Sequence, residues 1–496
     1  MIYRTITAEE AAEYIKDGEL VGIGGFSSVG VPKAVPAAIA RKAEALHSKG
    51  IPFKIGLITG GASGEDVDGV LARAHALSLR TPFQSNRDMR KAINNGEIRY
   101  FDLHLSKVAE EVRYGYAGYV DTAIIEVAGF TTKGEVILTT SVGITPTLVE
   151  HSKHLIIEWN HAHNAEKLYN MHDLFEIPDP SLREPIPIYK VWDRVGSKVL
   201  KIDPAKVIGV VETNCLDHVK FTPVDDITTQ IGNNVGKFLV EEWRRGLIPR
   251  SYLPIQSGVG NIANAVLSSL ETAKEIPNFN MFTEVIQDAV IDLMEKGRVT
   301  YATGCSLTLS ESHLKKLYDN IDLFRDKILL RPQEITNHPE VIRRLGVIAM
   351  NTAVEVDLYG HVNSTHAFGS KLINGIGGSG DYARNAFISI FMCPSTTKNG
   401  LISTIVPMVT HVDSTEHDVS VIVTEQGIAD LRGKAPEERA KVIIEHCAHP
   451  DYRPFLRAYL KIAEKTPAHE PVSLINAFRM QEAFLSTGDM KNVEFI

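Results

Sequence analysis

Short runs of aliphatic and β-branched residues alternate along this chain with longer segments of helical periodicity. LVGIGG (20–25), AIIEVA (123–128) and HLIIEW (154–159) have the length of strands, and 32–48 and 106–114 have the pattern of amphipathic helices. The other predicted strands are FKIGLIT (53–59), KVIGVVE (206–212), VTYATG (299–304), GVIAMNTAVEVDL (346–358) and VSVIVTE (419–425). Strands that alternate with helices predict an α/β fold with largely parallel sheets.

The length and the charge limit the possible classes of protein. A chain of 496 residues predicts two large domains or three smaller ones. The net charge of −9 argues against a nucleic-acid binder, and no apolar run is long enough to span a bilayer. The N-terminus lacks the pattern of a signal peptide, and the four cysteines form no CxxC pair. We therefore expect a cytoplasmic protein with reduced thiols.

Two loop signals suggest how the chain is organised. The proline-rich stretch 176–189 predicts an extended loop, which is either a lid or an interdomain arm. FTPVDDIT (221–228) is a second break, and we place the domain boundary there, giving domains 1–225 and 226–496.

The two predicted domains repeat three patterns in the same order. At both GIGGF (22–26) and GVGNIANAV (258–266), a strand is followed by a glycine-rich turn and then by a helix. IIEVAGFTTKGEV (124–136) then corresponds to AVEVDLYGHV (353–362), and LIIEWN (155–160) to VIVTEQG (421–427). The order favours two copies of one α/β unit, although α/β proteins also share such strings by chance.

In GIGGSGDYARNA (375–386), four glycines stand next to an acidic residue and before a helical segment. Such a loop can expose backbone N–H groups to a phosphate or to an oxyanion, or it can be an ordinary tight turn. The dinucleotide pattern GxGxxG fails at 22–27 and survives only weakly at 258–263, where Ala263 replaces the third glycine. No GxxxxGK[ST] sequence is present. These patterns give little support to a dehydrogenase or a P-loop enzyme.

Glu284 lies in the segment NFNMFTEVIQDAVIDLMEKG (278–297). The pattern predicts a helix over 284–296, with Thr283 as its cap and with Val285, Ala289, Leu293 and Met294 on one face. Glu284 would then lie in the first helical turn, where the helix dipole favours the ionised carboxylate. A glutamate that only complements the helix charge would show the same pattern.

Six motifs occur in one order over essentially the whole chain. They are GVGNIAN (258–264), FTEVIQD (282–288), TNHPEVIRRLG (336–346), GIGGSGDYARNA (375–386), STTKNG (395–400) and VTEQGIADLRG (423–433). With them the chain resembles the acetyl-CoA hydrolase/transferase family of class I CoA-transferases, and most closely its succinyl-CoA:acetate CoA-transferase branch. The resemblance implies two related open α/β domains with the active site at their interface.

The resemblance also assigns roles to individual residues. Glu284 matches the nucleophilic glutamate, Gly378 the oxyanion-hole glycine, and Asn337 and Glu425 polar residues that flank the nucleophile. The residues implied in CoA binding are Val259, Gly260, Asn261, Ile262, Ala263, Gly378 and Lys398. From the residues alone, Asn337 could equally be a turn residue, Glu425 a strand-end cap and Lys398 a solvated surface lysine.

The implied reaction is the exchange of CoA between a short-chain acyl-CoA and a carboxylate, with succinyl-CoA and acetate as the leading pair. CoA would be a substrate, no tightly bound cofactor is expected, and a homodimer is the expected assembly. An acyl-CoA hydrolase on the same scaffold is the main alternative, and a nucleotide-binding sensor without activity is a third. His151, His154, His161, His163 and His172 form a cluster. No acidic pattern accompanies the cluster in the sequence, so we predict no metal site.

Overall fold

The computed structural model describes residues 3–496, which form two compact α/β units. Unit 1 contains the chain to Lys220 together with Asn280–Leu345 and Asn374–Asp381. Unit 2 contains Phe221–Phe279, Gly346–Ile373 and Tyr382–Ile496. The first change of unit lies close to the predicted boundary at 225, but two later segments, including the one with Glu284, return to unit 1. A contiguous division of the sequence could not anticipate that return.

The strands follow the predicted runs closely. In chain order they are β1 Leu20–Ile23, β2 Ile55–Thr59, β3 Leu77–Thr81, β4 Arg99–Tyr100, β5 Thr122–Phe130, β6 Val136–Leu138, β7 His154–Asn160, β8 Val207–Thr213, β9 Ile255–Ser257, β10 Phe279–Phe282, β11 Val285–Gln287, β12 Val299–Gly304, β13 Ser306–Thr308, β14 Ile328–Leu330, β15 Ile348–Thr352, β16 Glu355–Asp357, β17 Val362–Asn363, β18 His366–Ala367, β19 Lys371–Leu372, β20 Ile388–Met392, β21 Thr396–Thr397, β22 Ile402–Ser403, β23 Ile405–Val406, β24 Val421–Thr424 and β25 Gly427–Asp430.

The helices fill most of the intervals between these strands. They are α1 Ala8–Tyr14, α2 Ala34–His47, α3 Val70–Arg73, α4 Arg87–Asn94, α5 Val108–Tyr114, α6 Thr145–His151, α7 Ala165–Leu168, α8 Asp226–Arg244, α9 Asn261–Thr272, α10 Asp288–Glu295, α11 Glu311–Asp319, α12 Ile321–Phe324, α13 Gln333–Thr336, α14 Pro339–Leu345, α15 Ser379–Asn385, α16 Pro436–His446, α17 Arg453–Ala463 and α18 Arg479–Thr487. Within residues 3–496, no helix combines the length and the apolar character that crossing a membrane requires.

Unit 1 is built on a sheet with the strand order β4-β3-β2-β1-β5-β7-β8, and β6 pairs with β5 at one side. The pairs along this order are parallel, which agrees with the predicted architecture. Helices α1 and α2 pack their apolar residues, such as Ala11 and Ile39, against strand residues such as Leu57. Glu158 of β7 closes the start of α2 by accepting hydrogen bonds from three successive backbone N–H groups.

In unit 2 the strands β9-β15-β20-β24-β25 lie side by side, with parallel pairs except for β24 and β25. Helices α16 and α17 contribute residues such as Ile443 and Leu456 to its core. The neighbours β1-β5-β7 of unit 1 correspond to β9-β15-β20, and the first repeated pattern, which follows β1 and β9, occupies equivalent places. The other two do not. AVEVDLYGHV lies beyond β15, on β16 and β17, and VIVTEQG lies on β24, one strand beyond the position that corresponds to β7.

The proline-rich stretch 176–189 is a loop, as predicted. It contains only one short helical turn, Pro180–Leu182, and no strand. Its predicted use as a lid or an interdomain arm stays a prediction.

Candidate active site

Glu284 lies in the bend between β10 and β11, and its backbone is fixed on both sides. Its carbonyl oxygen accepts hydrogen bonds from the N–H of Cys305 (2.7 Å) and of Ser306 (3.2 Å). Strand β11, which begins at the next residue, pairs in parallel with β13. These bonds fix the starting point of the side chain at the edge of a small sheet.

The helix predicted over 284–296 is therefore wrong at its start. Helix α10 begins at Asp288, and Thr283 is not its cap. Val285 is a strand residue, whereas Leu293 and Met294 are buried helical residues as predicted. The β-branched pair Val285 and Ile286 favours pairing with β13, and this tertiary contact outweighs the helical spacing.

The electrostatic state of Glu284 also differs from the one predicted. Because no helix dipole acts on the partly buried carboxyl, its pKa is set mainly by its loss of contact with solvent. Burial raises the pKa of Glu284 to about 7, the hydrogen bond from Asn337 lowers it, and the charge on Asp381 raises it. Near neutral pH the carboxyl consequently titrates, and the ionised form is more basic than an exposed glutamate.

Asn337 and Gly378 contact the Glu284 carboxylate directly. The Asn337 Nδ2 donates a hydrogen bond of 2.5 Å to Glu284 Oε1. Gly378 lies so close that a Cβ there would overlap Oε1 and would also meet Asn337 Nδ2. The structure thus brings together three of the predicted site residues, all of them within unit 1.

The glycine loop is held in place by the segment after β4. Asp102 accepts a hydrogen bond from the N–H of Ile376 (2.8 Å), and the N–H of Leu105 donates to the carbonyl oxygen of Gly377 (3.3 Å). Gly377 has φ +59°, a left-handed conformation that favours glycine. The loop is therefore a fixed surface against Glu284, rather than only a turn before α15.

Asp381 and Ser106 complete this cluster, and neither was predicted as a site residue. Asp381 is buried and accepts hydrogen bonds from the Ser106 N–H (3.0 Å) and hydroxyl (2.6 Å). Burial raises the pKa of the Asp381 carboxyl, and Ser106 and the Asn337 side chain lower it as hydrogen-bond donors. The aspartate of GGSGD was visible in the sequence as an acidic neighbour of the glycines. Ser106 carried no such signal, because it lies far away in the chain.

A second group of predicted residues surrounds a cavity of about 300 Å³ in unit 2. Asn261, Ile262 and Lys398 line it together with Thr228 and Asn399. Gly260, at φ +120°, precedes α9, so that the first turn of this helix borders the cavity. Of the other residues predicted in this segment, Val259 before the helix is exposed and Ala263 within it is buried. A helix N-terminus and a lysine at one cavity suit an anionic group such as a phosphate.

Glu425 follows β24 and supports the loop that carries Lys398. Its carboxylate accepts hydrogen bonds from the Ser395 N–H (2.8 Å) and from the Ser395 hydroxyl. Gln426 Nε2 donates a third hydrogen bond of 3.0 Å. These contacts explain a structural use of Glu425, while its predicted place beside the nucleophile stays a prediction.

The histidine cluster separates into unrelated contacts in the fold. His161 pairs with Glu212 and His172 contacts the carbonyl oxygen of Thr139. His163 does meet two acids, Glu126 and Asp217, which the sequence pattern had not revealed. The Lys33 ammonium lies 2.7 Å from Glu126 and 2.9 Å from Asp217. The single positive charge of Lys33 thus offsets one of the two negative charges in this buried cluster.

Comparison with known proteins identifies the family. Residues 2–212 match the acetyl-CoA hydrolase/transferase N-terminal domain, and residues 314–460 match the C-terminal domain of the same family. The chain belongs to the acetyl-CoA hydrolase/transferase family. It is thus an enzyme of a family that acts by CoA transfer or hydrolysis, as the motifs predicted.

Several curated relatives of this family match nearly the whole chain. The propanoyl-CoA:succinate CoA transferase of Escherichia coli is 47% identical, with 98% of each chain covered. The succinyl-CoA:acetate CoA-transferase of Clostridium kluyveri is 46% identical, over 98% of this chain and 90% of its own. The acetyl-CoA hydrolase of Schizosaccharomyces pombe is 43% identical, over 96% and 94%.

The fold has counterparts among solved structures. RipA from Yersinia pestis superposes with a TM-score of 0.73 at 22% identity, over 93% of this chain and 98% of its own. This likeness supports the α/β fold described above.

Proposed function

We propose that this enzyme exchanges CoA between a short-chain acyl-CoA and a carboxylate, with succinyl-CoA and acetate as the first pair to test. The observation that carries the proposal is the Glu284 carboxylate, held by Asn337 against the Gly378 loop. Transfer to a carboxylate needs a nucleophile that can bond to either partner, and a carboxylate can do so. The transferases among the relatives support the same chemistry.

The proposed reaction begins with the ionised Glu284. Its oxygen attacks the thioester carbonyl, the C–S bond breaks, and CoA leaves as a thiolate from an acyl–glutamyl anhydride. The thiolate then attacks the glutamyl carbonyl and releases the first acid, which leaves a Glu284–CoA thioester. The acceptor carboxylate repeats these two steps in reverse order and restores Glu284. No general base is required, since each attacking group is already an anion.

The neighbours of Glu284 have distinct tasks in this scheme. Asn337 orients the carboxylate, so that one oxygen is hydrogen-bonded and the other can attack. Each attack produces an oxyanion, which we propose the backbone N–H at Gly378 stabilises. A donor of this kind typically contributes about 10²–10³ in rate. The raised pKa of Glu284 adds nucleophilicity, because a desolvated carboxylate is more basic.

We propose the cavity of unit 2 as a binding place for part of CoA. Lys398 and the first turn of α9 offer positive charge and N–H groups to the CoA phosphates. CoA acts here as a substrate, and binding energy from its unreactive parts can be used to raise the rate of the chemical steps.

The experiment is to incubate the enzyme with acyl-CoA, reduce it with borohydride and analyse its peptides by mass spectrometry. We expect the reduced product of a glutamyl thioester on the peptide that contains Glu284. The isosteric variant Glu284→Gln is the matched control and should show no such product and no exchange. An unmodified peptide in the wild type, or full exchange by Glu284→Gln, would refute the proposal.

Hydrolysis is the second candidate, because the Schizosaccharomyces pombe relative is named an acetyl-CoA hydrolase. It would share the covalent step, with water in place of the acceptor acid. Thiol release from acyl-CoA, measured with and without acetate, separates the two. Release at the same rate in both cases would favour hydrolysis, whereas a carboxylate-dependent formation of a new acyl-CoA would favour transfer.

A further inference from the structure

The side chain of Asn337 could face Glu284 in two ways. An asparagine amide carries a donor, Nδ2, and an acceptor, Oδ1, on a nearly symmetric end. Only Nδ2 can bond the Glu284 carboxylate, and a flipped amide would place Oδ1 against the negative Oε1. Some neighbour must therefore select the productive orientation.

The Asp381 carboxylate makes that selection. The Thr336 hydroxyl donates a hydrogen bond of 3.0 Å to Asn337 Oδ1, but a hydroxyl can also accept and would fit either orientation. Burial raises the pKa of the Asp381 carboxyl, and the Asn337 side chain, acting as a donor to it, lowers that pKa. A carboxylate offers only acceptors, so it requires the Nδ2 group on its side. Nδ2 has two hydrogens, and it can therefore serve Asp381 and Glu284 together.

Asp381 is itself held rigidly. Its two oxygens accept the N–H and the hydroxyl of Ser106, at 3.0 and 2.6 Å, and the residue is only 5% exposed. His104 Nδ1 lies 4.0 Å from Asp381 Oδ1. The chain Ser106–Asp381–Asn337–Glu284 thus leads from the segment after β4 to the nucleophile.

We propose that Asp381 is a positioning residue, which fixes the amide of Asn337 so that its Nδ2 holds the Glu284 carboxylate for attack. The proposal rests on the proposed function of Glu284. It gives a defined role to the acidic residue of the glycine loop, which contacts neither the attacking oxygen of Glu284 nor the thioester carbon. It also explains why a second buried carboxylate lies beside an anionic nucleophile.

Asp381 has an electrostatic effect as well as a geometric one. The negative charge of Asp381 raises the pKa of Glu284. The thiol of Cys305, near Glu284, stays neutral, because burial raises the pKa of this thiol well above its usual value. Replacing Asp381 by the uncharged, isosteric asparagine should therefore lower the pKa of Glu284. Replacement by alanine should in addition release the Asn337 amide.

The test is a double-mutant cycle on the CoA-transfer rate. We expect Asp381→Ala to reduce kcat by about 10–100-fold, the cost of a nucleophile misplaced by a fraction of an ångström. KM for acyl-CoA should stay within about twofold. In the Asn337→Ala background, the same substitution should have less than about a twofold effect, because its target is absent. Additive losses in the cycle would overturn the proposal.

The isosteric variant Asp381→Asn supplies a second readout, the pH dependence of kcat/KM, which the loss of a merely structural contact would not change. We expect the acid limb of kcat/KM against pH to shift to lower pH, and an unshifted limb would count against the proposal. Asp288→Asn is the matched control, since Asp288 accepts the N–H and hydroxyl of Ser310 at 2.9 and 2.6 Å in the same geometry. It should leave the acid limb unshifted.

The two proposals fail in different ways. If Glu284→Gln kept full exchange, the proposed function itself would fall. If Glu284→Gln were inactive and the Asp381–Asn337 cycle were additive, only the positioning role of Asp381 would fall.

Discussion

Substitution of Gly378 by alanine tests the packing of the glycine loop against the nucleophile. The added Cβ would overlap Glu284 Oε1 and come into close contact with Asn337 Nδ2. Gly378 does not have the left-handed backbone that only glycine adopts easily, so alanine brings no backbone strain. The effect of the substitution is therefore a displacement of the two side chains.

The size of the effect follows from the contact distances. Ordinary van der Waals contact begins near 3.4 Å, so the carboxylate has to withdraw by about 2 Å. A displacement of about 1 Å in a reacting group can cost about 10² in rate. We therefore expect Gly378→Ala to lower kcat for CoA transfer by at least about 10²-fold, with the fold intact.

The assay is the formation of acetyl-CoA from succinyl-CoA and acetate, together with thermal unfolding. Gly96→Ala is the control, because Gly96 has φ +74° and open space around its Cβ position. It should lose stability by about 1–2 kcal/mol through backbone strain and keep its kcat. Activity of Gly378→Ala within tenfold of the wild type would refute the contact between this loop and Glu284.

Three further predictions follow from the buried charges. With Glu284 at a pKa of about 7, kcat/KM for acyl-CoA should rise with pH through about 7, because only the ionised carboxyl attacks; a profile that is flat from pH 6 to 8 would contradict this. The carboxyl has a higher pKa folded than unfolded, so its ionisation lowers stability as pH rises from about 4.5 to 7. Glu284→Gln should thus gain at most about 3 kcal/mol in free energy of unfolding at pH 8, at about 1.4 kcal/mol per pKa unit, and the gain should shrink at pH 5 in urea titrations. Lys33→Met should lose about 3–5 kcal/mol, because Glu126 and Asp217 would stay buried without their cation, whereas the exposed pair of Lys153 with Asp121 should lose less than about 1 kcal/mol in Lys153→Met. Equal losses in the two lysine variants would contradict the buried ion pair.

Local sequence signals predicted the helices and strands, because these signals and the elements both depend on residues that are neighbours in the chain. The run AIIEVA lies within β5, and VTYATG coincides with β12. The exception is the start of α10, where Val285 and Ile286 fit a helical face as well as a strand. Pairing with β13, a strand some twenty residues away, decided between the two.

The sequence predicted the family and the α/β class, and it marked Glu284, Asn337 and Gly378 as candidate site residues, because each lies in a motif of adjacent residues. The folded chain shows in addition that Asp381 and Ser106 join them, that Glu425 binds Ser395, and that Lys33 lies between Glu126 and Asp217. The raised pKa of Glu284 is likewise a property of the folded chain. Burial and contacts between distant segments arise only when the chain folds, and no local pattern of residues records them.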